Sequence, residues 1–169
     1  MQIKIIFITN ILNNKLNRVI FMEKRMIFSI LQIVCIIATI FLGITILSLV
    51  ALILIDPTTI GISVFAYAGV GTTVFACVIL PIVSLIFVIL IMTALKDKET
   101  GVLILNVFII VFAMIGIIVA VVWFGIIPII PISPETEAYL DGIRASLPII
   151  IIVEAATITF TILNIVMKE

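Results

Sequence analysis

The sequence predicts an all-α, polytopic transmembrane bundle with four spans and both termini cytoplasmic, and three observations carry that prediction. The first is composition: 65% of the 169 residues are hydrophobic and 11% are charged, with a mean hydropathy of +1.58. A soluble domain has roughly 25% charged residues. The second is the spacing of charge. Between Arg25 and Asp56 lie 30 residues without a charge, between Asp56 and Lys96 lie 39, and between Glu99 and Glu135 lie 35, while a fourth run, Ala145 to Met167, is interrupted only by Glu154. About 20 apolar residues suffice to cross a bilayer as a helix. No period-two alternation appears, so backbone groups in lipid must be satisfied within helices rather than in a barrel.

The third observation is the distribution of Lys and Arg, which sets orientation. With the N-terminus cytoplasmic, Lys4, Lys15, Arg18, Lys24, Arg25, Lys96, Lys98 and Lys168 all lie inside and Arg144 alone lies outside, with Asp56, Glu135, Glu137 and Asp141. The chain is therefore placed as a multi-pass protein of the cell membrane. Net charge is zero, and the positive cluster before the first span is an orientation signal, not a nucleic-acid patch.

Residues 1–25 are basic and Asn-rich and fall short of a span. They read either as an interfacial helix or as a segment upstream of a true start at Met22, where "MEKRMIFSIL" already forms a short basic start before a signal anchor. The membrane domain is 26–169. Span one, about 26–55, ends in "IDPTT", where Asp56 can cap and Pro57 can occupy a first helical position. The turn is tight, so spans one and two are expected to be antiparallel neighbours.

The second run is too long for one crossing, at roughly 58 Å of helix. It must tilt, kink, protrude or re-enter, with the span itself at about 68–95. Ala68, Thr72 and Ala76 recur every four residues, and Gly69, Thr73 and Cys77 follow one position on. Small residues of this kind allow close helix approach, so Ala68, Gly69, Thr72, Thr73 and Ala76 form the predicted packing face. A substrate path along the same strip is the competing reading. Pro81 is expected to kink this helix.

Span three, about 102–127, sets Asn106, Ala113 and Ala120 at seven-residue intervals with Gly116 nearby, and Trp123 near its outer end suits the interface. The proline-rich connector contains "SPETE", a helix-start pattern, which predicts a short outer surface helix at about 134–141. Span four is about 145–167. Cys35 and Cys77 fall within spans and read as small apolar residues.

Glu154 interrupts span four close to mid-membrane. Thr157, Thr161 and Asn164 follow it at i+3, i+7 and i+10, which puts all four on one helix face. A polar stripe thus descends from Glu154 to the cytoplasmic end, and Gln32 and Asn106 are expected to join Asn164 in the inner third. A mid-bilayer acidic side chain costs about 2.5 to 3.5 kcal/mol on insertion scales, with Asp the measured case, and faces protein or water. The other spans contain no charged residue. Three readings follow: a protonated acid bonding to a neighbouring helix, a pairing with another polypeptide, or a proton or cation carrier using the stripe as an inner half-channel.

The chain has no histidine, the commonest general base and metal ligand. It also lacks a Gly-rich phosphate loop, a CxxC pair and paired intramembrane carboxylates. The sequence thus offers no catalytic, cofactor or metal site and reads as non-enzymatic. The Ile, Lys and Asn bias suggests AT-rich coding and a prokaryotic source.

The segment "VEAATITFTILN" resembles the glutamate-bearing helix of the small hydrophobic subunits of complex I, Mrp-type antiporters and energy-converting hydrogenases. Glu154 stands at the glutamate, and Ile158 stands where those helices carry an amide. The resemblance covers about a dozen residues and implies a hydrophobic accessory subunit of a larger, ion- or proton-translocating membrane complex, with other membrane subunits as partners. The alternative is a self-contained homo-oligomeric channel or transporter.

Overall fold

The computed structural model describes residues 2–55, 63–95, 98–126 and 134–166. They form α1 (Gln2–Ile55), α2 (Ser63–Val74), a π-helical turn (Phe75–Ile79), α3 (Leu80–Thr93), α4 (Glu99–Ile126) and α5 (Pro134–Val166), with no strand among the described residues. Four stretches are long and apolar enough to span a membrane: Met26–Ile53, Gly69–Thr93, Glu99–Ile126 and Glu137–Val166. The chain is an all-helical, multi-pass membrane protein.

The spans form a four-membered ring. Span one, α1, packs on α5 and on the α2–α3 span, and α4 packs on α5 and on the α2–α3 span. Every neighbour is thus also a neighbour in sequence or joins the first span to the last, and each pair is antiparallel. Buried positions recur at alternating steps of three and four residues. On α4 they are Val102, Asn106, Ile109, Ala113, Gly116 and Ala120. On α5 they run from Leu140, Ile143, Leu147 and Ile150 through Glu154 and Thr157 to Thr161 and Asn164. Large Ile, Val, Leu and Phe side chains occupy the outward faces, as a lipid-facing surface requires.

Three features differ from the sequence expectation. Residues 2–25 continue helically into span one; no Gly or Pro occurs before Gly43, so nothing in that stretch breaks the helix. The predicted short outer helix is not separate, since α5 runs unbroken from Pro134 through Pro148. Its outer half is held by packing: Leu140, Ile143 and Leu147 belong to one buried cluster with Ile46 and Ile53 of α1. The kink expected at Pro81 takes the form of a π turn just before it, which accommodates one extra residue within the span Gly69–Thr93. Proline cannot donate to the carbonyl four residues back and its ring crowds that carbonyl, here Cys77. The backbone widens there, and Leu80 N–H bonds to Phe75 O instead. The Asp56–Pro57 cap and its turn, and the connector with Ser133, lie outside the described residues.

Candidate functional site

Glu154 lies inside the ring rather than towards lipid, and is 4% exposed. It is the one buried acidic or basic side chain among the described residues. Gly116 of α4 makes room for it: a Cβ at that position would stand 3.1 Å from Glu154 Oε1 and 3.4 Å from Cγ. From α1, the Thr39 hydroxyl comes within hydrogen-bonding reach of the carboxyl. Thr39 also donates to Cys35 O at 3.3 Å, so its oxygen can accept from a protonated acid, or its proton can turn to a carboxylate.

A cavity of about 10 Å³ lies beside the carboxyl on the bundle axis. All four spans contribute to its wall, with Ile36 from α1, Pro81 and Ser84 from α3, Ala113 from α4, and Glu154 and Thr157 from α5. The π turn and Pro81 thus shape the bundle at the level of the glutamate.

Towards the end of the ring where span one begins and α5 ends, the polar stripe continues as a hydrogen-bonded chain. Thr161 Oγ1 donates to Thr157 O at 2.7 Å and accepts from Gln32 Nε2 at 2.9 Å. Gln32 Oε1 in turn accepts from Asn164 Nδ2 at 3.0 Å, and Ser29 Oγ lies 3.4 Å from the same nitrogen. Gln32 and Asn164 therefore meet as the sequence suggested. Asn106 is equally buried, but its Nδ2 has no partner, and neither has Asn164 Oδ1. Gly116 faces Glu154, and Asn106 and Asn164 are equally far along their antiparallel helices, so the two amides stand level.

On the opposite side of Glu154 the same seam is apolar. Ile150, Leu147, Ile143 and Leu140 pack with Ile46, Ile53, Ala76, Cys77 and Ala120. Thr73 of α2 is the one buried polar side chain among the described residues of that half, so the hydrogen-bonded path is one-sided.

Of the predicted packing face, Thr73 and Ala76 are buried and Gly69 takes the Trp123 ring, a Cβ there falling 2.7 Å from Cη2. Thr72 accepts from Trp123 Nε1 at 3.1 Å, so the tryptophan holds span two as well as facing the interface. The side chain of Ala68 lies outside the described residues. Cys35 and Cys77 are free thiols. No group of three or more His, Cys, Asp or Glu that could hold a metal occurs among the described residues.

Sequence reasoning missed Ser29, Thr39 and Ser84. The first two were readable: Ser29, Gln32, Thr39 and Gly43 fall at i, i+3, i+10 and i+14, one face of α1. Set antiparallel to α5 with Gln32 against Thr161, that face brings Thr39 level with Glu154. Ser84 carried no comparable signal.

No protein-family model matches the chain, and neither a curated protein nor a solved structure does.

Proposed function

We propose that this protein is a hydrophobic subunit of a larger assembly in the cell membrane, without a catalytic centre of its own, and that Glu154 is its proton-exchanging group. The observation that carries this reading is the one-sided polar path. A carboxyl at mid-depth adjoins a water-sized cavity and a chain of hydroxyl and amide groups leading to the terminal side, and an apolar core closes the other side. Ionisable groups at such depth mark proton or ion pathways when they are not merely structural. Beyond Glu154, on the side away from the hydrogen-bonded chain, Thr73 is the one buried polar side chain among the described residues, so transfer onward calls for groups from another chain. That need favours a subunit over a self-contained channel. The likeness of "VEAATITFTILN" to the glutamate helix of proton-coupled complexes supports the same reading.

The test is to isolate the protein from its own membranes in mild detergent, identify co-isolating subunits by native mass spectrometry, and reconstitute the assembly in vesicles carrying a pH dye. Glu154→Gln keeps a neutral hydrogen-bonding group of the same shape, so the assembly should persist while proton flux falls about a hundredfold, a typical proton-transfer contribution. Unchanged flux removes the proton-exchange role. A single species, monomer or homo-oligomer, overturns the subunit reading and moves the weight to the self-contained transporter.

A further inference from the structure

Ser84 is unexplained by the proton path as described so far. It is 4% exposed, lies on α3 across the ring from α5, and has no hydrogen-bond partner in the protein, although its oxygen is not sealed off like the orphaned atoms of Asn106 and Asn164. What its hydroxyl meets is the axial cavity, which Glu154 and Thr157 face from the other side. A polar group buried without a partner costs about 1 to 3 kcal/mol, so an unpartnered hydroxyl facing a void that a carboxyl also lines calls for an occupant.

We propose that the cavity is a binding site for one water molecule, held between Glu154 and Thr157 of α5 and Ser84 of α3. Size and chemistry agree on this occupant. The void of about 10 Å³ sits at the lower limit for one water, about 10 to 15 Å³, and a buried water takes two to four polar partners. Three are present. The Thr157 proton lies on Val153 O at 3.1 Å, which leaves the Thr157 oxygen to accept, and the water donates to it. The Ser84 hydroxyl is uncommitted and can turn to donate or accept. The water therefore accepts from Glu154 when the carboxyl is protonated and donates to it when the carboxyl is ionised, with Ser84 taking the complementary role. Apolar walls limit the site to one molecule: Ile36 and Ala113 flank it, and Phe112, stacked on Phe87 with ring centroids 6.1 Å apart, closes it towards lipid. Pro81 opens the space, since the π turn that relieves its clash precedes Ser84 by one helical turn.

The role of this water rests on the proton-exchange reading of Glu154, while its presence does not. As part of that reading, the water is the first acceptor of the Glu154 proton and the link from the carboxyl to the third helix.

The experiment is acid-minus-alkaline infrared difference spectroscopy of the purified, lipid-reconstituted protein in ordinary and oxygen-18 water. The expected result is a carboxylic acid band absent in Glu154→Gln, accompanied by an O–H stretch that shifts in oxygen-18 water. Ala113→Val fills the void with two methyl groups and should abolish that stretch while slowing proton exchange several-fold. Ser84→Ala keeps the space and should shift the stretch to a more weakly bonded position. A titrating carboxyl band with no isotope-sensitive stretch overturns the water site and leaves proton exchange standing. A water stretch without a titrating carboxyl band does the reverse. A carboxylate band that moves with sodium concentration at fixed pH assigns the cavity to a cation and also overturns the proposal.

Discussion

At Thr161 a single hydroxyl proton fixes the direction of the whole inner hydrogen-bond chain. Because that proton goes to Thr157 O, the oxygen must accept from Gln32 Nε2, which turns Gln32 Oε1 towards Asn164 Nδ2. Asn164 is left presenting Oδ1, level with the unpartnered Nδ2 of Asn106. Two buried amides on facing helices therefore predict opposite mutational signs. Gln32→Leu removes the donor to Thr161 and the nearer acceptor of Asn164 and should destabilise the bundle by about 1 to 3 kcal/mol, whereas Asn106→Leu removes an orphaned donor and should be neutral or stabilising by about 1 kcal/mol. Reversible unfolding in mixed micelles measures both, and a destabilising Asn106→Leu counts against the orphan assignment. A double-mutant cycle of Gln32→Ala with Thr161→Val should return a coupling of about 0.6 kcal/mol, with about 1.7 as the upper end for bonds in membrane helices. The Glu154 stripe was legible because its four residues repeat at helical spacing. Its partners were harder to read, because a Thr or Ser in a span bonds its own backbone as readily as another helix: Thr45 donates to Phe41 O at 2.9 Å and Thr93 to Ile89 O at 2.8 Å, both exposed to lipid.

Helix against helix, the ring closes through backbone proximity as much as through side chains. Gly43 of α1 lies on the π turn, where an added Cβ would stand 2.6 Å from Cys77 O and 2.9 Å from Cys77 Cβ. Cys77 is the residue whose carbonyl Pro81 cannot serve, so the bulge and the glycine are two halves of one contact. Gly43→Ala must push one helix off the other and should cost about 1 to 3 kcal/mol, the range for overpacking. At Gly71 an added Cβ would meet nothing within 4 Å, so Gly71→Ala should gain about 0.5 to 1 kcal/mol from helix propensity alone. Equal effects at the two sites would remove the close contact at Cys77. Span positions and the small-residue strip were legible from charge spacing and residue size. The unbroken α5 was not, because "SPETE" reads as the start of a separate short helix and Pro148 breaks a helix more often than it continues one. Its exposed ring leaves the inward face of α5 free, and the packing of Leu140, Ile143 and Leu147 carries the helix past it.

For the molecule as a whole, the antiparallel ring puts both ends of the chain on one side, since Ser29 near the start of span one meets Asn164 near the end of α5. Which side that is follows from charge and not from packing: the ring would be equally well packed either way up. The Lys and Arg bias predicts a cytoplasmic terminal side; on that orientation the polar path to Glu154 opens there, on the side from which a cytoplasmic proton would arrive. Two exposed positions decide it. Asp141, whose side chain is 65% exposed beside Arg144, stands at the far end of the ring, and Lys98 stands exposed at the terminal end, just before α4. In a background of Cys35→Ala and Cys77→Ala, Asp141→Cys should react with a membrane-impermeant maleimide on intact cells, and Lys98→Cys should react only after permeabilisation. The reverse pattern inverts the bundle, turns the polar path to the outside, and makes Glu154 a group loaded from the external phase.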